Sequence, residues 1–536
     1  MMNVFRKFQE RKWEFILLFT IIAIGMFLRT YNFHEWLHFG SDQARDAILV
    51  DRVLNGTTPW PLLGADASNT HFKLGPIYYY FQIVSAKIFG SDVSVLAYPD
   101  VLFSILAIPL FYFLLRKYFE KHLSLIMTGL YASSFYIIEY SRFAWNPNPI
   151  PFFVMLFLFA LMELFAAREK TSLLWIAALG VALGVSIQLH TLLLLILPVI
   201  FFSASVFLLG KNRGIWVKII LIVVIALILN FGQIKGEIET HGANSQLFLK
   251  AFTDRSQSGT GRFAASFEAD LLSHAQANTH ILSSLGDRGV FTFLSILSHP
   301  SRTDSRILYA VYVCGVMISI AFSLLGYGLL IRNALQEKDS GKKIFLGLML
   351  TYAVLSFLVL FSVARGMPLR YFIHTTFVPF ILLGLIIDWI RLTMPRQSAA
   401  VAVVIFLFCF SANASAIAAE ASDLAHGSRG DRGFVVLGEA KQMVDHMIVQ
   451  AAAAKDAYLF GGTEYVATYF KPLQYIAEKK GFRLERVKRK KAPLSDKPYF
   501  FIQKSSGVRE SFEMSQFETI GNKDFGRIGI YQLRKQ

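Results

Sequence analysis

The chain has 536 residues, 54% of them hydrophobic and only 17% charged, with 50 Phe, 21 Tyr and a mean hydropathy of +0.47. Soluble domains are about 45–50% apolar and about 25% charged. That excludes a disordered chain, a collagen-like or disulfide-built scaffold, and a water-soluble multidomain enzyme. The two cysteines, Cys314 and Cys409, lie inside apolar runs and offer neither a disulfide framework nor a thiolate metal cluster. The net charge of +16 would suit nucleic acid; in a membrane chain it suits loop bias and attraction to anionic lipid.

A membrane span needs roughly 20 mostly apolar residues, because the hydrocarbon core is about 30 Å thick. Such runs fall at 14–31, 93–115, 122–139, 149–167, 172–189, 191–209, 215–232, 307–331, 344–363, 371–390 and 399–418, which is eleven. A twelfth, 76–89, has fourteen residues including Lys87, too few to span, and reads as an interfacial or re-entrant helix. With the N-terminus cytoplasmic, the inside segments hold 18 Lys and Arg in 55 residues and the outside loops 13 in 150. That obeys the positive-inside rule at every connection and places the C-terminus outside. No small-residue cleavage site follows the first run, so it is expected to stay as an anchor.

Three segments lie off the membrane. The first outer loop, 32–92, has six acidic residues, and the second, 233–305, is rich in Ser, Gly, Asn and Gln and expected to be partly helical. The tail, 419–536, changes composition abruptly. Helical stretches at Glu439–Ala454 and Glu464–Lys480 alternate with strand-like ones at Tyr458–Phe460, Tyr499–Gln503 and Arg527–Leu533. It reads as an extracytoplasmic α/β domain following a membrane domain at 1–418.

Charges within or beside spans are costly and therefore informative. In the orientation above, Asp42, Asp46, His71, Lys73, Glu139, Arg142, His190, Arg365, Arg370 and His374 all fall at the outer ends of the helices. Each has a duller reading: the arginines as snorkelling anchors, Asp46 as the wet face of a surface helix, His190 and His374 as packing residues. Asp42 follows Gly40 and Ser41 and opens an amphipathic helix. A carboxylate there is favoured in its charged form, as a cap or as a general base. Lys73, ahead of Pro76 and the aromatic run with Tyr78, would sit at headgroup level, where a lipid phosphate lies.

The order LRTYNF, SDQARDA, HFKLGPIYYY, YSRFAWNP and LRYF, with Pro379 downstream, resembles the type C membrane glycosyltransferases. Within these it is similar to the branch of protein O-mannosyltransferases and the bacterial aminoarabinose transferase. The resemblance covers about residues 14–390. It implies two juxtamembrane helices in the first outer loop, 42–55 and 76–89. It also implies inverting transfer of a sugar from a polyprenyl-phosphate or -diphosphate carrier to an acceptor hydroxyl at the outer face. Asp42 would be the base and Lys73, Arg142, Arg365 and Arg370 the phosphate ligands. Asp46, His71, Tyr78, Glu139, Asn148, His190, Tyr371 and His374 would be candidate donor or acceptor contacts. The family's Asp-Glu pair reads Asp42-Gln43 here, and the loop after the Ser-Arg pair has Asn146 and Asn148 in place of an acid. No metal ligand set is named and no cofactor is called for, with a divalent metal left open.

The implied fold is a polytopic α-helical membrane protein of about eleven spans with a C-terminal α/β domain. Its implied place is the plasma (inner) membrane of a bacterium or archaeon, its partners the bilayer, the lipid-linked donor and a protein, lipid or glycan acceptor. Two alternatives handle related lipids. One is a transporter or flippase, but no inverted repeat with broken helices is visible. The other is a surface-polysaccharide polymerase or ligase, against which the acidic first loop counts. Nucleic acid has little support, since the basic excess is spread over loops and VKRKKAP (487–493) is the only dense run. Asn55-Gly-Thr57 and Asn413-Ala-Ser415 fit the glycosylation sequon.

Overall fold

The computed structural model describes the chain apart from residues 1, 68–70, 258–262, 285–305, 362–367, 427–434, 453, 462, 488–496, 505–516, 526–527 and 536. Helix α1 (Met2–Thr30) carries the first apolar run. A short α2 (Phe33–Trp36) follows, then the two helices expected in the first loop, α3 (Ser41–Leu54) and α4 (Ile77–Phe89). Beyond a 3-10 turn at Val93–Ala97 come α5 (Tyr98–Leu115), α6 (Lys121–Ser133), α7 (Phe135–Ser141), α8 (Ile150–Ala167), α9 (Leu173–Leu189), α10 (Thr191–Lys211) and α11 (Trp216–Leu229). The next loop holds α12 (Phe231–Glu239), α13 (Ala243–Gln257) and α14 (Phe263–Ser283). The bundle closes with α15 (Arg306–Gln336), α16 (Ser340–Phe361), a 3-10 turn at Leu369–Thr375, α17 (Val378–Thr393) and α18 (Ser398–Ala425).

All eleven expected spans fall on helix, though not all as single rods. Among the described residues seven helices are long and apolar enough to cross a membrane, and two pairs bent by 64° bring the number to nine. The remaining runs are α9, which has only 17 residues, and α6–α7, divided at Ser134, whose backbone is extended. Helices α9 and α11 approach closely because α9 has glycine where they meet. A Cβ on Gly180 would lie 2.8 Å from Ile225, and one on Gly184 2.9 Å from the backbone of Ala226.

Helix α14 departs from the picture of a free outer loop, because it packs among α15 to α18. Its polar residues find partners there. The Asn278 amide donates to Ser323 Oγ at 3.1 Å, and Thr279 shares a 2.6 Å hydrogen bond with Ser319. Polar pairing substitutes for apolar matching between helices in lipid.

The tail forms α19 (Leu437–Gln450), β1 (Asp456–Gly461), α20 (Thr463–Lys479), β2 (Arg483–Arg486), β3 (Tyr499–Lys504), β4 (Phe517–Phe525) and β5 (Ile528–Lys535). The sheet order is β2-β1-β3-β5-β4, with β1 parallel to β2 and β3, and β5 antiparallel to β3 and β4. Its core is continuous with the first loop. Met443, Val444, Met447 and Ile476 pack in one cluster with Leu37, Phe39, Ala44, Ala47, Val50 and Ile83.

Candidate functional site

The site begins where α1 ends. The fully buried Arg29 guanidinium donates to Ser104 Oγ at 2.8 Å and to the Gly25 and Ala132 carbonyls at 2.9 and 2.8 Å, tying α1 to α5 and α6. Asn32 turns the chain in the left-handed region, at φ 52°. The segment Leu37–Phe39 then runs beside the tail. Leu437 N–H donates to the Leu37 carbonyl at 2.8 Å, and Phe39 N–H to that of Val435 at 3.3 Å. Gly40 precedes α3, and its N–H donates to Gln43 Oε1 at 3.0 Å.

Gln43 explains its own presence where the resembling family has an acid. Its Oε1 accepts from Gly40 while its Nε2 donates to the Ala144 carbonyl at 2.8 Å, and the side chain is buried. A carboxylate could make the first bond but not the second. The amide therefore joins α3 to the segment between α7 and α8.

Asp42 stands in the first turn of α3 with its side chain 67% exposed. It faces a cavity of about 990 Å³. Phe27, Leu28, Phe135, Ile138, Ile417 and Leu424 give that cavity an apolar wall from α1, α7 and α18. Tyr31, Trp36, His38, Tyr140, Phe143 and Trp145 give it an aromatic one. Glu139, Arg142, Arg370, Glu420 and Thr468 complete it. Phe143 stacks on Trp145 at 6.0 Å and lies 5.0 Å from His38, whose imidazole burial lowers to about 4, leaving it neutral at physiological pH.

The structure thus brings four of the expected residues together: Asp42, Glu139, Arg142 and Arg370. The two arginines differ. Arg142 donates to the Leu28 and Tyr31 carbonyls at 3.1 and 2.7 Å, capping the end of α1, and burial lowers it to about 10, still protonated at neutral pH. Arg370 is exposed, on the turn Leu369–Thr375. That turn is clamped by Tyr136, which donates to the Leu369 carbonyl at 2.9 Å, and by Tyr352, which donates to that of His374 at 2.9 Å.

The other expected residues that the structure describes lie outside the cavity lining. Lys73 is paired with Asp66 at 3.3 Å, and its backbone is stapled to the Asn244 side chain on α13. His71 is exposed at φ 59°. Asp46, expected on the wet face of α3, is instead buried against α4. Tyr78 donates to the buried Asp100 at 2.9 Å. Asn148 donates to the Phe143 carbonyl at 2.7 Å. His190 caps α10 by accepting from Leu192 N–H at 3.2 Å, with its ring 6.1 Å from Tyr371. His374 is buried, with Nδ1 2.8 Å from the Tyr371 carbonyl oxygen. Arg365 lies outside the described residues. Among the described residues no group of three or more His, Cys, Asp or Glu side chains converges as a metal site would require.

The sequence reading missed the aromatic wall, Asp100 and Glu420. Asp100 follows Tyr98-Pro99 at the start of α5, a polar interruption in an apolar run that could have marked it. Glu420 lies in the last turns of α18, beyond the run taken as span. Of the two sequons, Asn413 is fully buried, donating to the Leu282 carbonyl and accepting from Phe135 N–H, and is closed to modification.

Residues 73–231 match the family model of the dolichyl-phosphate-mannose-protein mannosyltransferases. No curated protein matches the chain in sequence. Among solved structures it is similar to ArnT from Cupriavidus metallidurans bound to undecaprenyl phosphate. The identity is 12% and the TM-score 0.53, over 97% of this chain and 98% of that one. The apo state of the same ArnT gives 11% identity and a TM-score of 0.53 over 98% of both. The archaeal oligosaccharyltransferase AglB from Archaeoglobus fulgidus, in complex with an inhibitory peptide and a dolichol-phosphate, gives 13% and 0.47 over 89% of this chain and 64% of that one.

Proposed function

We propose that this chain, which has the fold of the type C membrane glycosyltransferases, moves a sugar from a polyprenyl-phosphate carrier to an acceptor hydroxyl. The observation that carries the proposal is Asp42 and Arg370 facing one cavity with an apolar and an aromatic wall, whose other polar lining includes Glu139, Arg142, Glu420 and Thr468. An apolar wall suits the first isoprenes of a lipid, aromatic faces suit a sugar ring, and a fixed cation suits a phosphate.

In this reading Asp42 accepts the proton of the acceptor hydroxyl as its oxygen attacks the anomeric carbon. The bond from that carbon to the phosphate oxygen breaks on the opposite face, so the centre inverts and the lipid phosphate leaves with the electron pair. One base suffices, in contrast to the carboxylate pair of hydrolases. Arg370, with Arg142 second, meets the charge that develops on the phosphate. Lys73, paired with Asp66 outside the cavity lining, is left out. The site is read as extracytoplasmic, in a plasma membrane with the N-terminus cytoplasmic, which the bias of basic residues toward the other loops supports.

The test is purified protein in nanodiscs with radiolabelled polyprenyl-phosphate sugars and a panel of protein, lipid and glycan acceptors. Asp42→Asn is expected to lower turnover by about 10²–10⁴-fold while carrier lipid still binds. Full turnover in that variant would refute the base assignment.

A further inference from the structure

Asp46, one helical turn from Asp42, does not reach the cavity, yet it is joined to Asp42 through a single side chain. The Arg45 guanidinium lies 3.0 Å from Asp42 Oδ1 and 2.8 Å from Asp46 Oδ1. The two carboxylates are unequal. The Asp46 side chain is 8% exposed and that of Asp42 67%. From α4, Tyr79 and Tyr78 lie close enough to Asp46 to be affected by its charge. From α20, Tyr475 and Lys479 are taken up by Asp51, further along the same face of contact. Asp46 is thus a fixed anchor and Asp42 the member of the pair that can move.

We infer that Asp46 is a positioning residue for Asp42, holding Arg45 between the two carboxylates so that Asp42 stays turned to the cavity. This rests on the reading of Asp42 as the base. A guanidinium shared by two carboxylates stabilises each ionised form less than one devoted to a single partner. With Asp46 uncharged, Arg45 turns wholly to Asp42 and draws it away from the incoming hydroxyl. Burial pushes Asp46 up to about 6 in spite of Arg45, so the arrangement switches near that pH.

The experiment compares wild type, Asp46→Asn, Arg45→Gln and the double variant in nanodiscs, reading kcat and donor KM from pH 5 to 8. Asp46→Asn is expected to cut kcat at pH 7.5 by about three- to tenfold, to leave donor KM within about twofold, and to flatten the acid limb near pH 6. In the Arg45→Gln background the same substitution is expected to change kcat by less than about twofold, because Asp46 acts only through Arg45. An unchanged kcat and acid limb in Asp46→Asn would overturn the inference, as would an equal loss in both backgrounds, the signature of a structural role. Activity retained by Asp42→Asn would instead refute the base reading itself. Activity lost there with Asp46→Asn unaltered would sink this inference alone.

Discussion

Asp46→Asn is expected to stabilise the protein at neutral pH, and the size of the effect follows from the burial of the carboxylate. The group ionises at 3.8 in the unfolded chain and at about 6 in the folded one, because burial outweighs the attraction of Arg45. At about 1.4 kcal/mol per pKa unit, keeping Asp46 charged above pH 6 costs the folded state roughly 3 kcal/mol. Since the folded protein holds the proton longer, the cost is absent below about pH 4, grows as pH rises through 6 and is constant above it. Asn is near in shape but has nothing to ionise. The difference in melting temperature, variant minus wild type, should therefore be small at pH 4 and reach a few degrees by pH 7.5. The assay is intrinsic fluorescence melting in nanodiscs of fixed lipid composition, so that lipid binding does not shift the baseline. A difference that stays constant with pH, or one that favours the wild type increasingly as pH rises, would refute the reasoning.

Gln43→Glu, which restores the acid of the resembling family, should destabilise by about 1–3 kcal/mol because the Ala144 carbonyl loses its donor; a melting curve unchanged from wild type would count against the two-sided role of that amide. Arg370→Ala should raise donor KM and lower kcat by about 10²–10³-fold, whereas an unaltered donor KM in steady-state assays would remove it from the phosphate site. Met443→Ala, in the core shared by α19 and α3, should cost about 2–5 kcal/mol and lower transferase activity as well, measured by melting and turnover on the same preparation.

The eleven apolar runs were legible because lipid forces the backbone to satisfy itself within each helix, so length and hydropathy carry the signal directly. The interruption at Ser134 and the bends at Asn230 and Thr376 were not, since a change of direction leaves composition intact. The helix and strand stretches of the tail were legible from their periodicity, except β2, only four residues long, and β4, whose Glu518–Asp524 stretch is almost wholly exposed and lacks a buried face. In the site, Asp42 stood out through its Gly-Ser lead and the motif around it. Asp46 falls on the polar side of its helix, the side expected to face water, whereas α4 covers it. Nothing in the sequence around Lys73 marks its partners, Asp66 across a loop and Asn244 on α13. Tertiary partners of this kind leave no periodic trace.

Among the described residues there are two principal cores, and the cavity takes lining residues packed on each, Tyr140 and Trp145 on the first and Phe143 on the second. One fills the helical bundle and includes Ile77, Tyr78, Tyr131 and Phe372. The other joins the first loop to the tail and includes Phe39, Ala44, Tyr79, Ile83 and Met443. Helix α4 contributes to both, Ile77 and Tyr78 to the first, Tyr79 and Ile83 to the second. Asp42 rides on the second core, reinforced by Ser41, whose hydroxyl donates to the Thr468 carbonyl at 2.8 Å. Arg370 rides on the first, through Phe372 and the clamps from Tyr136 and Tyr352. The proposed base and the proposed cation thus rest on different cores. Gln43, bonded to the Ala144 carbonyl, ties α3 to the rest of the second core beneath Asp42. A displacement transfer needs its base and its leaving-group cation on opposite sides of one carbon, with tolerances below an ångström. Helix α4, which contributes to both cores, is the element that ties the two halves of the proposed site together.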